Sequence, residues 1–184
     1  MKTFINIILI SITTLFFIGC GSAKLTPEQQ GYIKKRETLY TQVSMWSYKN
    51  QVKGTNYSTG MFIPVNSKVT IVAVSSSKIK FTYNGKNILI INTKYTKVDI
   101  KTLLDRTFSK SKVNLSKFSK KEQSNILKGK LALNMSKEAT IIARGYPPTH
   151  TTSSLKKDSW KYWASRWDTI IYKFKNNKIS SIIK

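Results

Sequence analysis

One short stretch carries the side chains with the most chemical potential: His150, the single histidine, followed by Ser153, Ser154 and Asp158. An imidazole as general base, a hydroxyl as nucleophile and a carboxylate to orient the imidazole form the set that acyl transfer needs. The set is thin. Asp158 is the only local acid, and no Gly-x-Ser-x-Gly elbow, phosphate-binding loop or His-Glu-x-x-His occurs in the chain. A lone histidine in a Thr/Ser-rich segment reads more simply as a turn residue, so no catalytic residues and no enzymatic activity are expected. One Cys and one His exclude a zinc centre built from several of either, and no metal or cofactor is expected.

The same region is rich in aromatic rings. "ARGYPPTH" (143–150) precedes "WKYWASRW" (160–167), which holds three of the four tryptophans. Read as a strand, Trp160, Tyr162 and Ala164 share one face while Lys161, Trp163 and Ser165 share the other. The first face can fill a core. The second shows Trp163 beside lysines, with Arg166 and Trp167 at the following turn. Arg144, Tyr146, His150, Trp163, Arg166 and Trp167 are therefore the candidate partner-binding surface. Rings beside cations suit protein contact, glycan stacking or a membrane interface. The competing reading has an N-terminal β section covering Trp163 as interior, because large apolar patches are seldom left bare.

Charge narrows the choice of partner. The 184 residues carry 32 Lys plus Arg against 8 Asp plus Glu, a formal net charge of +24. Such a field attracts anionic lipid, acidic polymer, nucleic acid or acidic protein. Only Arg36, Arg106, Arg144 and Arg166 are arginines, whereas nucleic-acid readers lean on Arg for bidentate contacts, so nucleic acid is not the expected partner. Abundant Lys, Ile and Asn together also fit the compositional bias of a genome.

The N-terminal "MKTFINIILISITTLFFIGCGSAK" is the most informative segment. Lys2 supplies a positive start, and the apolar run Phe4 to Ile18 is shorter than the ~20 residues of a spanning helix. It reads as a signal-peptide core. Phe17-Ile18-Gly19-Cys20 resembles the lipobox of bacterial lipoproteins, with Phe17 where Leu is usual. That resemblance implies cleavage before Cys20 and a diacylglycerol on its sulfur. Gly21 rather than Asp implies an outer-membrane rather than an inner-membrane destination. Acyl chains anchor stably at about 0.8 kcal/mol per buried methylene. Cleavage after Ala23 at Gly21-Ser22-Ala23, or retention of the segment as a weak anchor, are the alternatives.

The elements that must position the aromatic region follow from local pattern. Thr26-Pro27-Glu28-Gln29 is a helix start, and Tyr32, Leu39, Val43 and Trp46 recur at roughly helical spacing beyond it. Residues 47–60 read as a loop. "KVTIVAV" (68–74), "KIKFTY" (78–83) and "KNILII" (86–91) read as strands, the last two joined by Asn84-Gly85. "DIKTLLDRTFSK" (99–110) places Ile100, Leu103, Leu104 and Phe108 on one helical face. Ser119 opens a short helix that stops at Gly129, and Ser136 opens another that runs to Arg144 and ends at Gly145. Strands at about 159–165, 168–175 and 178–183 complete the chain, the last pair turning at Asn176-Asn177.

"LNMSKEATIIARGYPP", "WKYW" and "TIIYKFKNNKISSI" in this order resemble the SmpA/OmlA-type domain of outer-membrane lipoproteins, the BamE-like fold. Met135-Ser136-Lys137-Glu138, Gly145-Tyr146-Pro147, Trp160-Lys161-Tyr162 and Phe174 through Ile179 carry the likeness over about residues 119–184. Asn134 stands where Gly is usual. The resemblance implies a non-enzymatic scaffold that binds partner proteins and sometimes anionic lipid at the membrane. The expected architecture is α+β: two C-terminal helices packed on a three-stranded antiparallel meander, preceded by a small antiparallel β section and helices. The expected divisions are a lipoprotein signal peptide (1–19), a lipid tether, helix and loop (20–60), a small antiparallel β section plus helix (61–112) and a BamE-like domain (113–184). The expected location is the periplasmic side of the outer membrane. The expected partners are the membrane, through the anchor at Cys20, an envelope protein, and anionic lipid or acidic polymer.

Overall fold

A computed structural model describes residues 23–184. The leader, the lipobox and Cys20 lie outside the described residues.

Helix α1 (Pro27–Lys34) starts where the sequence predicts, with a reciprocal capping box between Thr26 and Gln29 and proline in the first turn. It ends early, at Arg36 in the left-handed region (φ 48°). The expected helical repeat through Leu39, Val43 and Trp46 is instead extended chain: β1 (Thr38–Thr41) and β2 (Met45–Ser47). Leu39, Thr41, Val43, Met45 and Ser47 are all buried, a period of two that outweighed the looser helical spacing. The expected loop at 47–60 also contains a strand, β3 (Gln51–Lys53). After β4 (Met61–Ile63) come the three predicted strands, β5 (Lys68–Val74), β6 (Lys78–Tyr83) and β7 (Lys86–Ile91). Asn84 and Gly85 both take positive φ in the β6–β7 turn.

Helix α2 (Ile100–Thr107) is capped by Asp99, and Phe108 leaves the helix for the two-residue strand β8 (Phe108–Ser109). Phe108 is therefore buried from a strand, its ring 5.1 Å from that of Phe81, rather than from the helical face. Helices α3 (Lys120–Leu127) and α4 (Lys137–Arg144) follow, then β9 (Ser159–Trp163), β10 (Thr169–Lys175) and β11 (Lys178–Ile183).

The expected architecture is overturned. The described residues form four helices and eleven strands, and the larger sheet lies in the N-terminal part. That sheet has six strands in the order β3-β7-β6-β5-β1-β8, with β3 and β7 parallel. It is thus neither small nor purely antiparallel. The C-terminal region ends in a three-stranded sheet, β11-β10-β9, and β2 pairs with β4 in a third, two-stranded piece. The added strands are two to four residues long and take their register from distant partners, so they leave little periodic signal.

Two apolar clusters result. The first buries Leu39, Ile71, Ile79, Phe81, Ile88 and Leu104 between the six-stranded sheet and the first two helices. The second buries Ile126, Met135, Ala139, Trp160, Phe174 and Ile179. Each large aliphatic or aromatic side chain so buried contributes roughly 1.5–3 kcal/mol. The β2–β4 piece lies between them: Ser44 N–H donates to the Ile142 carbonyl at 2.8 Å, and the Trp46 and Phe62 rings meet at a tilt, 5.1 Å apart.

Glu122 joins two helix starts. One oxygen accepts from Ser119 N and Oγ at 3.2 and 3.0 Å, and the other from Ser136 N at 2.9 Å. Burial pulls its pKa up, but these bonds outweigh burial and hold the carboxyl below its ordinary value. Glu122→Ala should cost about 1–3 kcal/mol at neutral pH. A depressed folded pKa contributes stability above the unfolded value of about 4.3, which is lost as pH falls through the folded value. Urea titrations of wild type and variant should therefore converge as pH falls through that lowered folded value. A gap that persists in acid would assign the loss to packing instead.

Candidate functional site

Helix α4 delivers the region singled out in the sequence. Ser136 caps its start, its Oγ accepting from Ala139 N at 3.1 Å. Gly145 ends it at φ 82°, and a Cβ there would meet Asn56 Nδ2 at 2.4 Å. Only glycine fits that approach. Tyr162 Oη donates to the Gly145 carbonyl at 2.9 Å, fixing the helix end against β9.

Arg144 points inward and is only 4% exposed. Its Nη1 donates to the Asn56 carbonyl at 3.1 Å and its Nη2 to the Trp163 carbonyl at 2.9 Å. The guanidinium lies 4.7 Å from the Trp46 ring centre and 5.8 Å from that of Tyr162. Among the described residues no carboxylate pairs with it. Burial pushes its pKa down to about 10, with Tyr162 and Tyr172 acting the other way, so it remains cationic at neutral pH. Arg144 thus serves the interior.

His150 is half-buried, with Nδ1 3.1 Å from the Tyr95 carbonyl. A carbonyl only accepts, so Nδ1 carries the proton. The imidazole lies 5.1 Å from the Tyr95 ring and stacks 6.1 Å from Trp163. No hydrogen bond or ion pair joins it to Ser153, Ser154 or Asp158. Ser154 Oγ accepts from Lys156 N, and Asp158 pairs with Lys137 at 2.8 Å. The structure brings His150 to aromatic rings and leaves the serines and the acid elsewhere. Among the described residues no group of three or more His, Cys, Asp or Glu could hold a metal ion.

The strand faces divide as the alternation predicts: Trp160 and Tyr162 are buried, and Lys161 and Trp163 are half-buried. Trp163 lies beneath His150, whose ring stacks over it. Arg166 and Trp167 project beyond it. Trp167 is 79% exposed, and the Arg166 guanidinium sits 4.8 Å from its ring centre. The turn that presents them is cross-bonded: Ser165 Oγ meets Asp168 Oδ2 at 2.7 Å, and Ala164 N donates to the Asp168 carbonyl. Thr59 Oγ1 anchors the turn through the Ala164 carbonyl at 3.1 Å.

Tyr146 has a different role. Its ring lies 4.4 Å from the Arg106 guanidinium, at the end of α2. Behind the pair, a cavity of ≈ 50 Å³ separates Gly145–Thr149 from the N-terminal sheet. Val43, Val52, Ile90 and Leu103 are among its lining residues, with Thr96 and Thr107 adding hydroxyls.

Against known proteins, the chain matches no family model, no curated protein and no solved structure.

Sequence reasoning missed Asn56, Tyr95, Trp46 and Arg106 as members of this region. Arg106 stands out in the sequence only as one of four arginines. Asn56 sits at φ 50° within a turn-rich segment that suggests a loop and nothing more.

Two outcomes follow from the buried cation and its rings. Arg144→Ala should lower stability by about 2–4 kcal/mol, because two interior carbonyls lose their donor. Arg144→Lys should recover only part of this, since an ammonium cannot fork to both carbonyls. In alkali, burial raises Tyr162 and Tyr172 above their ordinary value, opposed by Arg144. Raised tyrosine pKa values favour the fold fully below about pH 10, and that contribution is lost as pH rises beyond it. Arg144, with its depressed value, has the opposite sign, but two tyrosines outweigh it. Lysine repulsion is relieved over the same range, so the test is a difference: between about pH 9 and pH 11 the urea midpoint of wild type should drop relative to that of Tyr172→Phe, and parallel curves would refute the assignment.

Proposed function

We propose that this chain is a lipid-anchored bacterial envelope protein that acts by binding, as a non-enzymatic scaffold at the periplasmic face of an outer membrane. The anchoring half rests on the lone Cys20 directly after an apolar leader, and on the motif-level likeness to outer-membrane lipoproteins. The binding half rests on one observation: Trp167 stands 79% exposed on a cross-bonded turn with Arg166 against its ring. A large indole held out by a rigid turn forms a contact residue without first having to order a loop.

A second reading is favoured by a recurring arrangement. Among the described residues, Tyr48, Tyr95 and Trp167 are the aromatic side chains left most open, at 59%, 49% and 79%. Each has a neighbouring cation over its ring, Lys49, Lys94 and Arg166 respectively. Rings paired with cations suit an acidic lipid or polymer surface.

Mass spectrometry of the mature N-terminus should find acylated Cys20, and an unmodified start at Lys24 would remove the anchor. A photocrosslinker placed at position 167 in intact cells should capture an envelope protein. Capture of none, with binding to acidic polymer that collapses as salt rises, would replace the scaffold with the second reading.

A further inference from the structure

The cavity behind Tyr146 has an unusual balance of surfaces. Its walls are largely aliphatic, with Pro147 and Pro148 closing one side. Lys53 and Arg106 supply positive charge to its lining, and no Asp or Glu lines it. Arg106 is half-buried and stacked on Tyr146, and no described carboxylate pairs with it. Its neighbour Asp105 is already engaged, by Lys101 at 3.3 Å and Gln29 Nε2 at 2.6 Å.

We propose that this cavity binds a small aliphatic carboxylate: a branched tail of three or four carbons inside, its carboxylate on the Arg106 fork. The size follows from volume. A water needs roughly 10–15 Å³ of such space, so ≈ 50 Å³ admits a few heavy atoms, an isopropyl or isobutyl group rather than a ring. The charge follows from the mouth. A guanidinium fixed against a ring, half out of water and without a counter-ion, presents a planar pair of donors that a carboxylate matches. A phosphate fits less well. Its further oxygens would lie against the aliphatic lining of Val43, Val52 and Leu103, which offers them no donor. Small pockets of this kind, apolar with a few converging polar groups, fix the orientation of their ligand.

The same chemistry has two sources, a free branched acid and the C-terminal valine of a polypeptide. The full chain in detergent, followed by amide NMR, distinguishes them with isovalerate and N-acetyl-glycyl-valine as probes. Saturable shifts at Thr96, Thr107 and Thr149 are expected with a Kd of about a millimolar for at least one probe. If isovalerate alone binds, the ligand is the free acid; tighter binding of the dipeptide assigns a chain terminus. The neutral probes isovaleramide and N-acetyl-glycyl-valinamide should bind at least about tenfold more weakly, and Arg106→Gln should lose about the same factor for the acids. Val98→Phe, at a half-buried lining position, should block the tail. Should that variant fold poorly, Arg106→Gln and the neutral probes still decide. Equal binding of acid and amide, unchanged affinity in Arg106→Gln, or no saturable shift at those three amides would each overturn the proposal.

Discussion

The structure turns on one buried cation. Arg144 ends α4 with its guanidinium inside, bonded to a carbonyl from the N-terminal part and to one from the C-terminal sheet. Taking a charge out of water costs several kcal/mol, and no carboxylate offsets it here. The compensation comes from two carbonyl dipoles and the faces of Trp46 and Tyr162. Arginine suits such a site better than lysine, being planar, delocalised and less tightly hydrated. Because Trp46, Asn56 and Trp163 come from three separate segments, the cation holds its low-energy position only when all three are in place. Local contacts are thereby coupled into one cooperative unit.

That clamp dictates the path of the chain beyond it. With Arg144 turned inward, Gly145 must reverse direction at positive φ against Asn56, and Tyr162 secures its carbonyl. Pro147 and Pro148 then run along the N-terminal sheet rather than continuing the helix. The cavity is the gap left where a proline-stiffened segment meets the end of α2 and β3. His150 emerges from this turn to cover Trp163, which explains why a lone histidine lies among aromatic rings with no acid at hand. The surface role envisaged for six residues therefore divides. Arg144 stabilises the junction, His150 shields Trp163, Tyr146 borders the cavity, and Arg166 with Trp167 remain open to solvent.

Legibility in the sequence followed the range of the interactions. The helix starts at Thr26, Asp99, Ser119 and Ser136, the Asn84-Gly85 hairpin and the three strands from Lys68 to Ile91 depend on neighbours within a few residues, and each was readable. The alternation of Trp160 and Tyr162 against Lys161 and Trp163 was readable for the same reason. The six-stranded sheet was not. Gln51-Val52-Lys53 is a strand because Leu89, Ile90 and Ile91 lie beside it in parallel, and nothing within the tripeptide states that. Arg144 misled for a related reason: a basic residue in the last turn of a helix is usually solvated, and only the distant Trp46 and Asn56 make its burial tolerable. The cavity, formed by residues from 43 to 149, has no local signature at all.

The charge excess finds no internal neutralisation, and the fate of the acids shows why. Glu37, Asp105, Glu138 and Asp158 pair with lysines. Asp99 and Glu122 cap helices, Glu28 accepts from Tyr32 Oη, and Asp168 holds Ser165 in the turn beneath Trp167. All eight acids are thus committed to local structure, and the exposed ion pairs among them contribute little stability. Most of the lysines face solvent without a counter-charge, and their mutual repulsion opposes the compact state. Lys49, Lys94 and Arg166 lie over the exposed rings of Tyr48, Tyr95 and Trp167, and other lysines lie in the same way over the less exposed Tyr32, Tyr40 and Phe118. Where charge is dispersed, salt screens it and specificity is low. Where it is fixed against a ring on a braced turn, as Arg166 is on Trp167, charge and apolar surface are presented together, and screening by salt removes only the first.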